Sequence, residues 1–149
     1  MTIQFIDLRL SNQAASDTAS PVVIPLAATP FIFGDIGLQT VDVSPANQGN
    51  VRVLLAGYVK TENNPLFNTN TINVRRNGTI IFTTTFGVAI SRENEAFGFT
   101  AVDVPPPAAV AAGQIQYTAE IFTNALATDP FNNVQARNFS GVAAAGNSS

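Results

Sequence analysis

Four acidic side chains, Glu93, Glu95, Asp103 and Glu120, are the natural place to look for catalysis. Hydrolysis of a glycoside needs two carboxyl groups facing each other across a cleft, one protonated and one ionised. Nothing in the spacing brings two of these four together, and acids at strand ends are ordinarily solvated. Asp42, Asp103 and Asp129 could offer oxygens to Ca²⁺, which takes six to eight of them. No dense acidic loop gathers them, so a metal site is not expected. The chain has no cysteine and no histidine. Thiolate nucleophiles, zinc centres and imidazole acid–base chemistry are therefore closed to it. The residues predict no catalytic group, no metal and no cofactor, and hence no enzyme.

Charge narrows the partners. Only 11% of residues are charged, against about 25% in an average globular protein. The net charge is −3, and the adjacent pair Arg75-Arg76 is the only basic cluster. Nucleic-acid binding draws its affinity from many Lys and Arg neutralising phosphates, so it is not expected. No apolar run reaches the length of a membrane span. The opening Met1 to Leu10 lacks a basic region and is interrupted by Asp7 and Arg9, so a cleaved signal peptide is not expected either. A surface of Asn, Thr, Ser, Gln and Ala suits a packed assembly better than a crowded monomer.

The elements that would carry such a surface are strands. With 149 residues and 46% apolar content the chain can bury a sizeable core. Helical periodicity is broken everywhere by Pro, Gly or Asn. Ile3 to Leu10 alternates with a change of phase between Phe5 and Ile6, which predicts a bulge or a strand covered on both sides. Ser11 to Ser20 is small, polar and aperiodic, and reads as a linker. Val22-Val23-Ile24, between Pro21 and Pro25, reads as a rim strand. In Val51 to Lys60 both faces are apolar: Val51, Val53, Leu55 and Val59 on one, Leu54, Ala56 and Tyr58 on the other. That pattern predicts a central strand covered on both sides. Asn77-Gly78 predicts a type I′ hairpin, with Val74 facing Ile81 and Asn73 facing Phe82. Further strands are expected at Phe97 to Val104, Ile115 to Ile121 and Val134 to Ala145. So many strands without helices predict an all-β antiparallel jelly-roll β-sandwich.

The order of several segments carries a resemblance. They are Val51-Arg52-Val53-Leu54-Leu55-Ala56-Gly57, Val74-Arg75-Arg76-Asn77-Gly78-Thr79-Ile80-Ile81-Phe82, Phe97-Gly98-Phe99-Thr100-Ala101-Val102-Asp103, Ala112-Gly113-Gln114-Ile115-Gln116-Tyr117-Thr118 and Ala136-Arg137-Asn138-Phe139-Ser140-Gly141. Together they resemble the small C1q/TNF-like jelly-roll proteins of spore-forming Bacillales, found in the exosporium and in endospore appendages. The resemblance implies a homotrimer and a structural role at the spore surface, reached without a cleaved leader. The lack of cysteine implies a non-covalent fibre or layer, and the lack of a Gly-X-Y tract sets the chain apart from collagen-stalked filament tips.

Two sets of residues follow as candidate contacts. Residues 1–20 read as a connector arm, a strand over 2–10 plus the linker 11–20, ahead of a jelly-roll domain over 21–149. Burying Ile3, Phe5, Ile6 and Leu8 is worth roughly 1.5–3 kcal/mol each. Ordering about ten residues costs roughly 1–2 kcal/mol each. The two nearly cancel, so the arm, with Leu10, needs a ladder or the avidity of several copies to hold it. Insertion into a neighbouring subunit would build a head-to-tail polymer, with a spore-surface anchor protein as a further partner. Phe97, Phe99, Tyr117 and Phe139 could line a trimer axis or form ordinary core. The alternative function is a lectin-like adhesin or fibre-tip module, with Phe67 and Phe131 in the Asn-rich loops 61–70 and 124–133 as contacts.

Overall fold

A computed structural model describes residues 3–16, 21–63, 69–87 and 93–146. Among the described residues nine strands form two sheets. They are β1 (Gln4–Ala14), β2 (Val22–Val23), β3 (Phe31–Gln39), β4 (Val51–Asn63), β5 (Asn70–Arg76), β6 (Thr79–Phe86), β7 (Glu93–Asp103), β8 (Gln114–Thr123) and β9 (Asn133–Ala145). A 3₁₀ turn (Pro45–Asn50) precedes β4, and a short helix α1 (Pro107–Ala111), with proline at its first turn, precedes β8. The first sheet runs β1–β9–β4–β7, with β2 also on β9; the second runs β3–β8–β5–β6. Every pairing between these strands is antiparallel, and a single parallel bridge joins Leu26 to Thr123. The chain crosses between sheets at almost every connection, which is the winding of a jelly roll.

The core lies between the sheets. Val51, Val53, Leu55 and Val59 of β4 face Phe33, Ile36 and Leu38 of β3 and Ile115, Tyr117, Ala119 and Ile121 of β8, all buried. Two close approaches fix the spacing locally. A Cβ at Gly34 of β3 would fall 2.3 Å from Phe139 Cβ on β9, and one at Gly57 would fall 2.3 Å from the Phe99 ring. Only glycine lets those rings lie against the opposing backbone.

The hairpin forms at Asn77-Gly78, with φ of 46° and 86°. Its register differs from the sequence expectation. Val74 pairs with Phe82 and Asn73 with Thr83, because a bulge between Val74 and Arg75 inserts one residue after the turn. The bulge lets both Ile81 and Phe82 reach the core. A bulge is also present between Phe5 and Asp7, at the expected change of phase.

β1 continues to Ala14, through residues that read as linker. In the single chain β1 lies along β9 from Ala145 to Arg137, and β2 along the same strand at Val134 and Asn133. The expected arm and the expected first body strand thus share one edge.

Candidate interaction surface

The sandwich is closed differently on its two open sides. At the β6–β7 side, aromatic rings bridge the sheets: Phe86 stacks on Phe97 at 4.5 Å between centroids and Phe82 on Phe99 at 5.8 Å. Phe99 also meets Phe33 edge-on at 6.4 Å and Phe139 at 6.5 Å. Such contacts are dry and add roughly 0.5–1.5 kcal/mol each beyond area burial.

At the β1–β3 side the closure is polar. Asp7, Ser11 and Gln13 of β1 point inward and meet the outer edge of β3. The Gln39 N–H donates to Asp7 Oδ2 at 2.8 Å, the Asp35 N–H to Ser11 Oγ at 3.4 Å, and Gln13 Nε2 to the Ile32 carbonyl at 3.3 Å. These side chains stand in for the strand that β3 lacks on that edge. Arg9 Nε donates to the same Asp7 oxygen at 2.8 Å. Burial pushes the Asp7 carboxyl upward, but the Gln39 N–H, Arg9 and the Leu8 N–H outweigh it and hold it below its ordinary value. Arg137 of β9 fills the gap behind Gln13, its guanidinium 5.3 Å from the Phe31 ring centroid. Desolvation lowers its pKa.

The polarity of β1 is therefore inverted. Of the five arm residues read from the sequence, only Ile6 packs against the core. Ile3 and Phe5 are each 63% exposed, Leu8 51% and Leu10 73%. Two shallow grooves of about 320 Å³ flank the strand, one against Val41 and Asp42, the other beside Asn138 and Ser140.

The four candidate axis aromatics lie inside the domain. Phe99, Tyr117 and Phe139 are buried in the core and Phe97 packs against it. Of the two readings the sequence left open for them, axis or ordinary core, the single chain places them in the core. Tyr117, fully buried, carries a polar group into the core. Its hydroxyl donates to Asp103 Oδ2 at 2.7 Å, and Arg76 Nη1 donates to both carboxylate oxygens at 2.7 and 3.0 Å. This link ties β5 and β8 to the end of β7 across the sheets. Desolvation, reinforced by the Asp103 charge, raises the Tyr117 pKa far above the ordinary phenol value.

Among the described side chains the candidate carboxylates do not converge. Glu120 faces the outside of the second sheet, where Arg75 Nε and Asn73 Nδ2 donate to it at 2.9 and 3.3 Å. Asp103 is held in the interior as above, and Asp129 accepts the Phe131 N–H at 2.8 Å. Among the described residues no three acidic groups gather as metal ligands. The side chain of Glu93, Phe67, linker positions 17–20 and the residues after 146 lie outside the described residues. What sequence reading missed is the polar inner face of β1. Its signal was present as Ser11 and Gln13 in alternation, but the hydrophobic pattern does not report a polar closure.

The strand order defines an all-β jelly roll. No protein-family model and no curated protein matches the sequence. Among solved structures the chain is similar to that of infectious bursal disease virus, Gx strain, with a TM-score of 0.54 and 12% identity over 91% of this chain and 33% of that one. It is similar to the T=1 particles derived from the same virus (0.53, 13%, 91% and 31%) and to its T13 particle (0.51, 10%, 93% and 35%). The chain spans about a third of the length of each. At these identities the likeness is one of fold.

Proposed function

We propose that this chain is a structural subunit that assembles with copies of itself without covalent links, as a fibre or layer at the spore surface. The observation that carries the reading is the attachment of β1. It holds to β9 and β3 through a ladder and polar bonds, with Ile6 its one large apolar anchor beside the small buried Ala14, whereas the opposite side of the sandwich is sealed by stacked phenylalanines. A strand held mainly by hydrogen bonds can be donated by one copy to the β9 edge of the next at little cost. Repeated head to tail, the exchange makes an open polymer. The homotrimer, the anchor partner and the spore location follow from the resemblance to Bacillales proteins. The virus particles of the same fold give self-association a parallel.

The test is deletion of residues 1–20, read by negative-stain microscopy and sedimentation. Loss of long assemblies in the shortened chain, and shortening of full-length assemblies by a free peptide of residues 2–14 that occupies the β9 edge without linking to a second copy, are the expected results. Unchanged polymers from the shortened chain would sink the proposal. The adhesin reading has one supporting observation, the exposure of Leu126 and of Phe131 in the loop before β9. Binding on a glycan array that disappears in Phe131→Ala would favour it.

A further inference from the structure

β4 has the pattern of a strand covered on both faces, and only one face is covered. Val53 and Leu55 are buried, while Leu54 between them is 47% exposed. No segment among the described residues lies over it. The register extends this apolar surface across the whole first sheet. Leu8, Val142, Leu54 and Val102 stand side by side on β1, β9, β4 and β7. One step along lie Leu10, Ser140, Ala56 and Thr100; one step the other way lie Phe5, Ala144 and Arg52. Val102 is 72% exposed and Val104, two residues on, 54%.

Six large apolar side chains, each about half exposed or more, amount to a contiguous patch on the order of 600 Å². The largest patch on an ordinary monomer is about 300–600 Å² and is often functional. These three rows contain no acid, and their one charge is Arg52, whose Nη1 turns back to the Val51 carbonyl at 2.8 Å.

We infer that the outer face of the β1–β9–β4–β7 sheet packs against the same face of a second copy of this chain. Two such patches bury about 1,200 Å² in total, the lower bound of a specific interface. Sheets stack face to face at about 10 Å, the arrangement the domain already uses inside. The face also tolerates itself. A two-fold axis along the Leu54 row sets Arg52 opposite Ala56 of the other copy. An axis along the strands, between β9 and β4, sets it opposite Ala144. In neither case do two guanidinium groups meet. A partner of strong charge would find one arginine and otherwise only apolar and small neutral side chains. This contact rests on the self-assembly reading and supplies a second interface, separate from exchange of β1.

The experiment uses the full chain. Leu54→Lys/Val102→Lys leaves β1 untouched and alters exposed positions. Sedimentation velocity should show face-to-face pairs lost, with the association constant down at least a hundredfold and circular dichroism unchanged. An unchanged species distribution overturns the inference while leaving β1 exchange standing. Association lost in the 1–20 deletion but kept in the double lysine variant overturns it in the same way. A wild-type chain that stays monomeric at all concentrations refutes both readings. Because the chain has no cysteine, a second measurement is independent of the lysines. Leu54→Cys should link into a dimer with a short bismaleimide, and Ile80→Cys, equally exposed on β6, should not. Equal linking of the two would also overturn the inference.

Discussion

Asp7 is the residue on which the separability of β1 turns, and Asp7→Ala tests it. The variant removes the acceptor of the Gln39 N–H at 2.8 Å and the partner of Arg9. A hydrogen bond to a charged group is worth roughly 1.5–3 kcal/mol. The side chain sits at a sheet edge with 17% of its surface in water, which puts this one at the lower end. Arg9 is 48% exposed, so its pairing adds about 0–1 kcal/mol. Together the loss is about 2 kcal/mol, a roughly 30-fold increase in the opening of β1. Native-state hydrogen exchange below the assembly concentration reads this directly. Amides of Leu8 to Leu10 should lose roughly 30-fold protection in the variant, while those of Ile115 to Ile121 in β8 stay as they were. If β1 and β8 exchange at the same free energy in the native chain, or fall together in the variant, β1 is not a separable strand and the reasoning fails. The carboxyl is held below its ordinary value when β1 is docked, so the docked strand binds a proton more weakly than the free one. Docking is then at full strength above the ordinary value of 3.8 and weakens as the pH falls through the lowered one. Beyond the intrinsic exchange rates, β1 should lose protection relative to β8 at pH near 3, and Asp7→Ala should abolish that difference.

Other perturbations probe the interior. Tyr117→Phe removes the 2.7 Å bond to Asp103 and should cost about 1–2 kcal/mol, seen as a lower urea midpoint at constant slope. In a Tyr58→Phe background, phenolate absorbance from Tyr117 should appear only as the protein unfolds. Its raised pKa gives stability that is present below the ordinary phenol value and lost as the pH rises past it. Asn132→Ala breaks both bonds of a buried reciprocal amide pair with Asn70, at 3.1 and 3.2 Å, and should cost about 2 kcal/mol in the same assay. Gly34→Ala drives a methyl into Phe139 and should cost about 1–3 kcal/mol. Phe139→Leu should recover part of that loss, and a double-mutant cycle with no coupling would show that the contact is not what excludes a side chain there.

Much of the sandwich could be read from alternation. Val51 to Val59, Ile115 to Ile121 and Val134 to Ala145 are strands as expected, and the apolar phase of Ile115 to Ile121 is the buried one. Asn77-Gly78 turned where positive φ was needed. Local chemistry was less informative where tertiary contacts decide. The bulge after the hairpin serves the packing of Ile81 and Phe82 together, which no two-residue turn rule contains. Ser11 to Ala14 looked like a linker because its inward side chains satisfy the β3 backbone rather than fill a core. The double apolar phase of β4 predicted cover on both sides, and the single chain supplies one. For the candidate contacts, the sequence identified the apolar residues of β1 but not which of them turn outward, because the Phe5–Asp7 bulge resets the alternation. Phe99, Tyr117 and Phe139 could not be assigned between core and axis until the two sheets were assembled around them.

The pairing of β1 with β9 also has a temporal side. It joins side chains as far apart as Gln13 and Arg137, 124 residues along the chain. Contacts of such separation form late, because a long loop must close before they return any energy. During synthesis β1 leaves the ribosome long before β9, the strand whose ladder it joins, has emerged. Throughout that interval β1 is open to any β9 edge that comes within reach, including one already folded on a neighbouring chain. The rate at which copies are made then competes with the rate at which each closes on itself. Crowded synthesis favours linked products and dilute synthesis favours closed ones, from one and the same sequence.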